Sequence, residues 1–144
     1  MKFETEQITP PTAAARVPDS EKITINLGFV DLGQIELLVQ EGFYSNRTDF
    51  IRTAIRNQIG QHADTVRRVV TRQSIDIGLR HIGRAELEAA KAAGQMLAIR
   101  VLGLAVIAPD VTPDLARATI GTLSVRGALQ AGDTVKAALA DRLG

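Results

Sequence analysis

Cysteine and tryptophan are both missing from this 144-residue chain. Without thiols there is no disulfide, thiolate zinc site, thiol nucleophile or iron–sulfur cluster to consider. Aromatic residues make up only 3 % of the sequence, too few for a platform on which the bases of a single strand could stack. Ala, Leu, Ile and Val must build the core, and a hydrophobic content of 45 % is enough for one. Long apolar runs are lacking too. No segment approaches about 18 uninterrupted apolar residues, and no basic stretch followed by an apolar one opens the sequence, so neither a membrane span nor a secretory signal is expected. These features read as a soluble cytoplasmic protein of one ordinary domain or two small ones.

A formal net charge of +1 gives no bulk attraction for nucleic acid, but the charge is unevenly spread. Arg47, Arg52, Arg56, Arg67, Arg68 and Arg72 face only Asp49 and Asp64 in the same stretch, a local excess of four positive charges. Residues 1–20 hold Pro10, Pro11, Pro18 and an Ala13–Ala15 run with little apolar periodicity, which predicts a flexible arm.

At Glu21 the pattern changes. Ile23, Ile25 and Leu27 alternate with Lys22, Thr24 and Asn26, the period of a half-buried strand. Gly28 breaks the alternation, and Asp31, three residues before Gln34, has the spacing of a helix-starting capping box. Leu32, Ile35, Leu38 and Val39 then recur at helical spacing as far as Gly42, a residue suited to the left-handed position after a helix end. A second helix is expected after Ser45 or Asn46, with Phe50, Ile51, Ala54, Ile55 and Ile59 on one face and Arg52 and Arg56 on another. Residues 61–73 form a connector, with a helical continuation through Arg68 compatible with Val66, Val69 and Val70.

Residues 74–144 contain a faint internal repeat. Ile77-Gly78-Leu79, Leu102-Gly103-Leu104 and Arg126-Gly127-Ala128 align with glycine spacings of 25 and 24. Each triplet precedes a turn (Gly83, Pro109-Asp110, Gly132-Asp133) and then a helical stretch: 85–93, 113–120 and 134–143. Thr112 before Pro113 is a good cap followed by proline at the first helical position. Three strand–turn–helix units of near-constant length predict parallel strands in a small solenoid or compact βα layer. The expected fold class is therefore α+β, with a strand and two helices over 21–60 followed by a small repeat-like βα domain.

A strand of seven residues spans about 24 Å and is not stable alone. No nearby segment offers a hairpin partner, so the simplest mate is the same strand of a second copy across a two-fold axis. The outward face of that ribbon would carry Lys22, Thr24 and Asn26 twice. Such a ribbon fits a major groove about 12 Å wide, where lysine suits guanine, asparagine suits adenine and threonine suits the thymine methyl. Ser45, Asn46 and Arg47 at the second helix start supply free amides and positive charge suited to a phosphate oxygen.

The succession KITINL, DLGQIELLVQEG and FYSNRTDFIRTAIRNQI resembles the ribbon-helix-helix DNA-binding proteins, the class of the MetJ, Arc and CopG repressors, and most of all the CopG-like branch. The resemblance covers roughly residues 21–60. It implies a homodimer bound to double-stranded DNA, with Lys22, Thr24 and Asn26 at the base-contacting positions and Ser45 and Asn46 at the phosphate-binding helix start. Members are often repressors, or antitoxins that repress their own promoters; the alternative here is thus an autoregulating antitoxin whose C-terminal half binds a protein partner. Nickel-responsive members carry histidines and a cysteine in a ligand domain, whereas this chain has only His62 and His81, so no metal or cofactor is expected. The acids Glu86, Glu88, Asp110, Asp114 and Asp133 come with no nucleophile, catalytically spaced histidine or phosphate loop, so no catalytic residue and no enzyme activity are expected. The C-terminal half is left with higher assembly, or with an effector or partner.

Overall fold

The computed structural model describes residues 20–144, and the expected arm lies outside the described residues except for Ser20. Residues 21–28 belong to no helix and no sheet of their own chain. The strand expected there is absent from the single chain because a strand needs a backbone partner, and among the described residues none is offered.

Helix α1 runs Phe29–Gln40. It starts ahead of the position expected from Asp31: its N-cap is Gly28, with no side-chain cap, and Asp31 becomes an acid of the first turn, where it favours the helix dipole. At the other end the Phe43 amide donates to the Leu38 carbonyl (3.0 Å) and the Gly42 amide to that of Val39 (3.1 Å). Gly42 has φ +85°, the left-handed turn that this pair of bonds requires. Helix α2, Arg47–Gln61, is interrupted at His62 (φ −103°, ψ 12°), and α3 resumes over Ala63–Gln73. The continuation expected to residue 68 is therefore a separate helix, closed by Ser74 in the left-handed region. The Arg100 guanidinium ties its end to the sheet, donating to the Gln73 carbonyl at 2.9 Å.

The rest of the chain is β1 (Asp76–Ile82), α4 (Arg84–Ala92), β2 (Leu97–Ile107), α5 (Pro113–Thr119), β3 (Ile120–Gln130) and α6 (Asp133–Ala138), followed by a single 3-10 turn, Ala140–Arg142. The strands are parallel in the order β1-β2-β3. Strands laid down in sequence with one crossover hand put every connecting helix on the same side. Ile99, Val101, Ala105 and Ile107 of β2 accordingly pack in one core with Leu87 of α4, Leu115 and Ala116 of α5, Val135 of α6 and Leu139 just after it. Thr112 caps α5 by accepting from the Leu115 amide (3.1 Å).

The three aligned glycines are neighbours: Gly78 pairs with Gly103, and Gly103 with Gly127. All three have positive φ (102°, 137° and 126°), so each strand kinks at the same level. A Cβ on Gly103 would lie 2.3 Å from the Gly78 carbonyl oxygen, and one on Gly127 would lie 2.0 Å from that of Gly103. Only glycine permits this conformation together with so close a backbone approach.

The last segment is clasped to α5. Arg117 forks onto both Asp141 oxygens (2.8 and 3.2 Å) and donates to the Ala138 carbonyl at 2.7 Å, while Arg142 donates to the Arg117 and Ile120 carbonyls. Hydrogen bonding from Arg117 holds the Asp141 carboxyl below the usual carboxylate range.

Among the described residues no helix covers the opposite face of the sheet. Ile77 and Leu79 of β1 are 63 % and 69 % exposed, beside the half-covered Leu102, Leu104 and Val106 of β2 and Ala128 of β3. Parallel sheets normally bury both faces.

Candidate nucleic-acid interface

Within residues 20–61 the only buried hydrophobic side chain is Ile35. Ile23, Ile25 and Leu27, the apolar set of the alternating segment, are 80 %, 56 % and 40 % exposed, and Leu37, Ile55 and Ile59 on the helices are exposed as well. Ile23 and Ile25 nevertheless line a common cleft with Thr48, Ile51 and Ile55 of α2. Ile23 and Ile25 thus border the second helix while remaining largely exposed. Lys22 reaches the rim of the same cleft, whereas Thr24 and Asn26 are exposed outside its lining.

At the start of α2 the backbone of Asn46 is extended and its Oδ1 accepts from the Asp49 amide at 2.8 Å. The Asp49 carboxylate turns back to accept from the Ser45 amide at 3.0 Å. This reciprocal arrangement stabilises the helix start, and it also places an acid where an anion would otherwise bind. The Asn46-x-x-Asp49 spacing is legible in the sequence, whereas the turn of the carboxylate back onto the Ser45 amide is not. Arg47 lies 3.4 Å from Glu36 of α1, both side chains more than half exposed, so this ion pair is readily exchanged for another anion. The edge-on stacking of Tyr44 against Phe50, 4.9 Å between centroids, fixes the loop to the first turn of α2.

Ser45, Asn46 and Arg47 are therefore contiguous at one helix end, and Lys22, Thr24 and Asn26 succeed one another along an exposed segment that borders the same helix. Arg52 lines the cleft beside Ile23 and Ile25 and adds positive charge there. Among the described residues no group of three or more His, Asp or Glu side chains converges as a metal would need. No helix among them is long and apolar enough to cross a membrane. The acids Glu86 and Glu88 are held in ion pairs with Arg80 and Arg84.

Comparison with known proteins found no match among curated proteins and none among solved structures. One family model does match, that of the ribbon-helix-helix transcriptional regulator family, over residues 18–136. The match runs well past residue 60, where the resemblance seen in the sequence stopped, and takes in the three-stranded layer. The chain thus belongs to the ribbon-helix-helix transcriptional regulators, non-catalytic proteins whose general role is DNA-binding regulation.

Proposed function

We propose that the protein is a homodimeric, sequence-specific transcriptional repressor of the CopG-like kind, acting in the cytoplasm, in which the 21–27 segments of two copies pair antiparallel and enter the major groove. The observation that carries this reading is the exposure of Ile23, Ile25 and Leu27 together with a helical pair that buries only Ile35. Such a unit does not hide its own apolar surface. Six side chains from two copies would contribute on the order of 10 kcal/mol if fully buried, the scale at which folding and dimerisation become one event.

In that dimer Lys22, Thr24 and Asn26 face the bases from both strands of the ribbon, Lys22 towards guanine, Asn26 towards adenine and Thr24 towards a thymine methyl. Ser45, Asn46 and Arg47 hold phosphates on either side and fix the register, which carries no sequence information itself. Replacing Lys22, Thr24 and Asn26 together by alanine is expected to leave a folded dimer with an unchanged helical spectrum and no preference for its operator over random DNA. Operator fragments for this measurement come from selection of genomic DNA on the purified protein. Wild-type affinity should fall with salt at a log–log slope of about −0.9 per phosphate neutralised. Undiminished operator preference in the triple variant would remove the groove assignment, and a flat salt response would remove DNA binding through phosphates.

A further inference from the structure

A cleft of about 680 Å³ opens where the start of the 20–27 segment meets the uncovered face of the sheet. Ser20 and Glu21 line it together with Leu104, Ala128, the kinked glycines and Lys136 of α6. On this chain the side chain best suited to such a cleft is in the wrong place. Phe29, at the first position of α1, is 92 % exposed and Val30 beside it 74 %, but Phe29 is eight residues along an extended segment from Glu21, roughly 26 Å away.

Antiparallel pairing removes that distance. If Lys22, Thr24 and Asn26 of both copies share one face, opposing residues must have the same parity, and a two-fold axis at Thr24 or at Ile25 sets Ser20 and Glu21 of one subunit against residues 27–30 of the other. We propose that the open sheet face is a docking site for the second copy, and that Phe29 and Val30 at the start of the partner's α1 seat on Leu104 and Ala128. The inference rests on the paired ribbon proposed above. It gives a parallel sheet the second cover that such sheets normally have, and it places an aromatic anchor in a cleft, as the energetic centres of interfaces are usually built. The family match spans both the 21–28 segment and the three-stranded layer, from residue 18 to residue 136. Each C-terminal layer then grips the ribbon–helix junction of the opposite subunit, and any molecule that competes for the sheet face displaces that junction beside the base-reading strand.

The absence of cysteine makes the test free of background. One tagged chain carries Phe29→Cys and a differently tagged chain carries Ala128→Cys; the two are unfolded together, refolded and oxidised, and the same sample is sedimented. The expected result is a dimer whose main disulfide-linked product bears both tags. A dimer in which those tags are not joined overturns the docking and leaves the ribbon standing; a monomer in sedimentation overturns the ribbon itself. Hydrogen exchange of wild-type protein against Phe29→Ser supplies a reading without cysteines. Exchange around Leu104 and Ala128 should rise at least several-fold in the variant while the variant remains dimeric, and an unchanged rate in a dimer refutes the contact.

Discussion

The aligned glycines allow a substitution series in which conformation and crowding can be separated. Gly78, Gly103 and Gly127 share a positive φ, yet a Cβ on Gly78 would meet nothing within 4 Å, whereas those on Gly103 and Gly127 would run into backbone oxygens at 2.3 and 2.0 Å. Gly78→Ala should therefore cost only the strain of an L-residue in that region, about 1–3 kcal/mol. Gly103→Ala and Gly127→Ala add a clash against backbone, which cannot rotate aside, so overpacking of the order of 1–3 kcal/mol comes on top and the total approaches about 2–6 kcal/mol. With no tryptophan and a single tyrosine, circular dichroism in urea is the suitable assay. Differences should be read as changes in midpoint at constant slope. The expected order is a modest loss for Gly78→Ala and a loss at least twice as large for the other two. Equal losses at all three positions would refute the close strand approach at Gly103 and Gly127, and three neutral substitutions would refute the kink itself.

Further outcomes follow from the ribbon and the clasp. Asp49→Ala removes the carboxylate bound to the Ser45 amide, so a dimer with two such sites should bind DNA roughly 3- to 30-fold more tightly while its α2 becomes slightly less stable; unchanged or weaker binding in a fluorescence-anisotropy titration would show that no phosphate comes there. Ile25→Asp puts a charge into the proposed ribbon core and should give a monomer by sedimentation that loses part of its helical circular dichroism while the separately cored βα layer stays folded, and a stable dimer would contradict the pairing. The Arg117–Asp141 clasp sets a pH dependence. Because the folded-state pKa of Asp141 lies below its ordinary value of 3.8, its contribution is fully present above that value and is lost as pH falls through the folded-state pKa. Asp141→Asn should accordingly lower the melting temperature by a constant amount near neutrality and converge on wild type in strong acid; a gap that widens on acidification would reverse the assignment.

Legibility in the sequence tracked how local the cause was. Gly42, Asn46 and Thr112 act on amides and carbonyls a few residues away, so the ends they set could be placed from residue type and spacing. The Gly78, Gly103 and Gly127 spacing was readable because a repeated βα unit must bring the same position of each strand to the same level. Asp31 misled for an equally physical reason: its spacing suits a cap, but Gly28 already allowed the extended backbone that a helix entry needs, and the helix began earlier. What sequence could not supply was whatever depends on two distant segments at once. The bond of Asp49 to the Ser45 amide, the place of Arg52 beside Ile23, and the exposure of Phe29 among the described residues all required the fold.

Those three features also bear on how the halves of the molecule work together. The segment proposed to read bases only borders α2, Ile23 and Ile25 lining a cleft with Ile51 and Ile55 while staying largely exposed, so its position in the proposed dimer depends on what the second copy brings. Arg100 fastens the end of α3 to the sheet at 2.9 Å, and α3 follows α2 across the short break at His62. A displacement of the sheet is therefore passed to the helix that carries Ser45, Asn46 and Arg47 by covalent connection as well as through the proposed contact at Phe29. Replacing Arg100 by methionine keeps the length of the side chain but removes that fastening. If the layer positions the phosphate-holding helix ends, Arg100→Met should weaken operator binding several-fold without changing the dimer. Affinity equal to wild type would leave Phe29 as the route by which the layer acts on the ribbon.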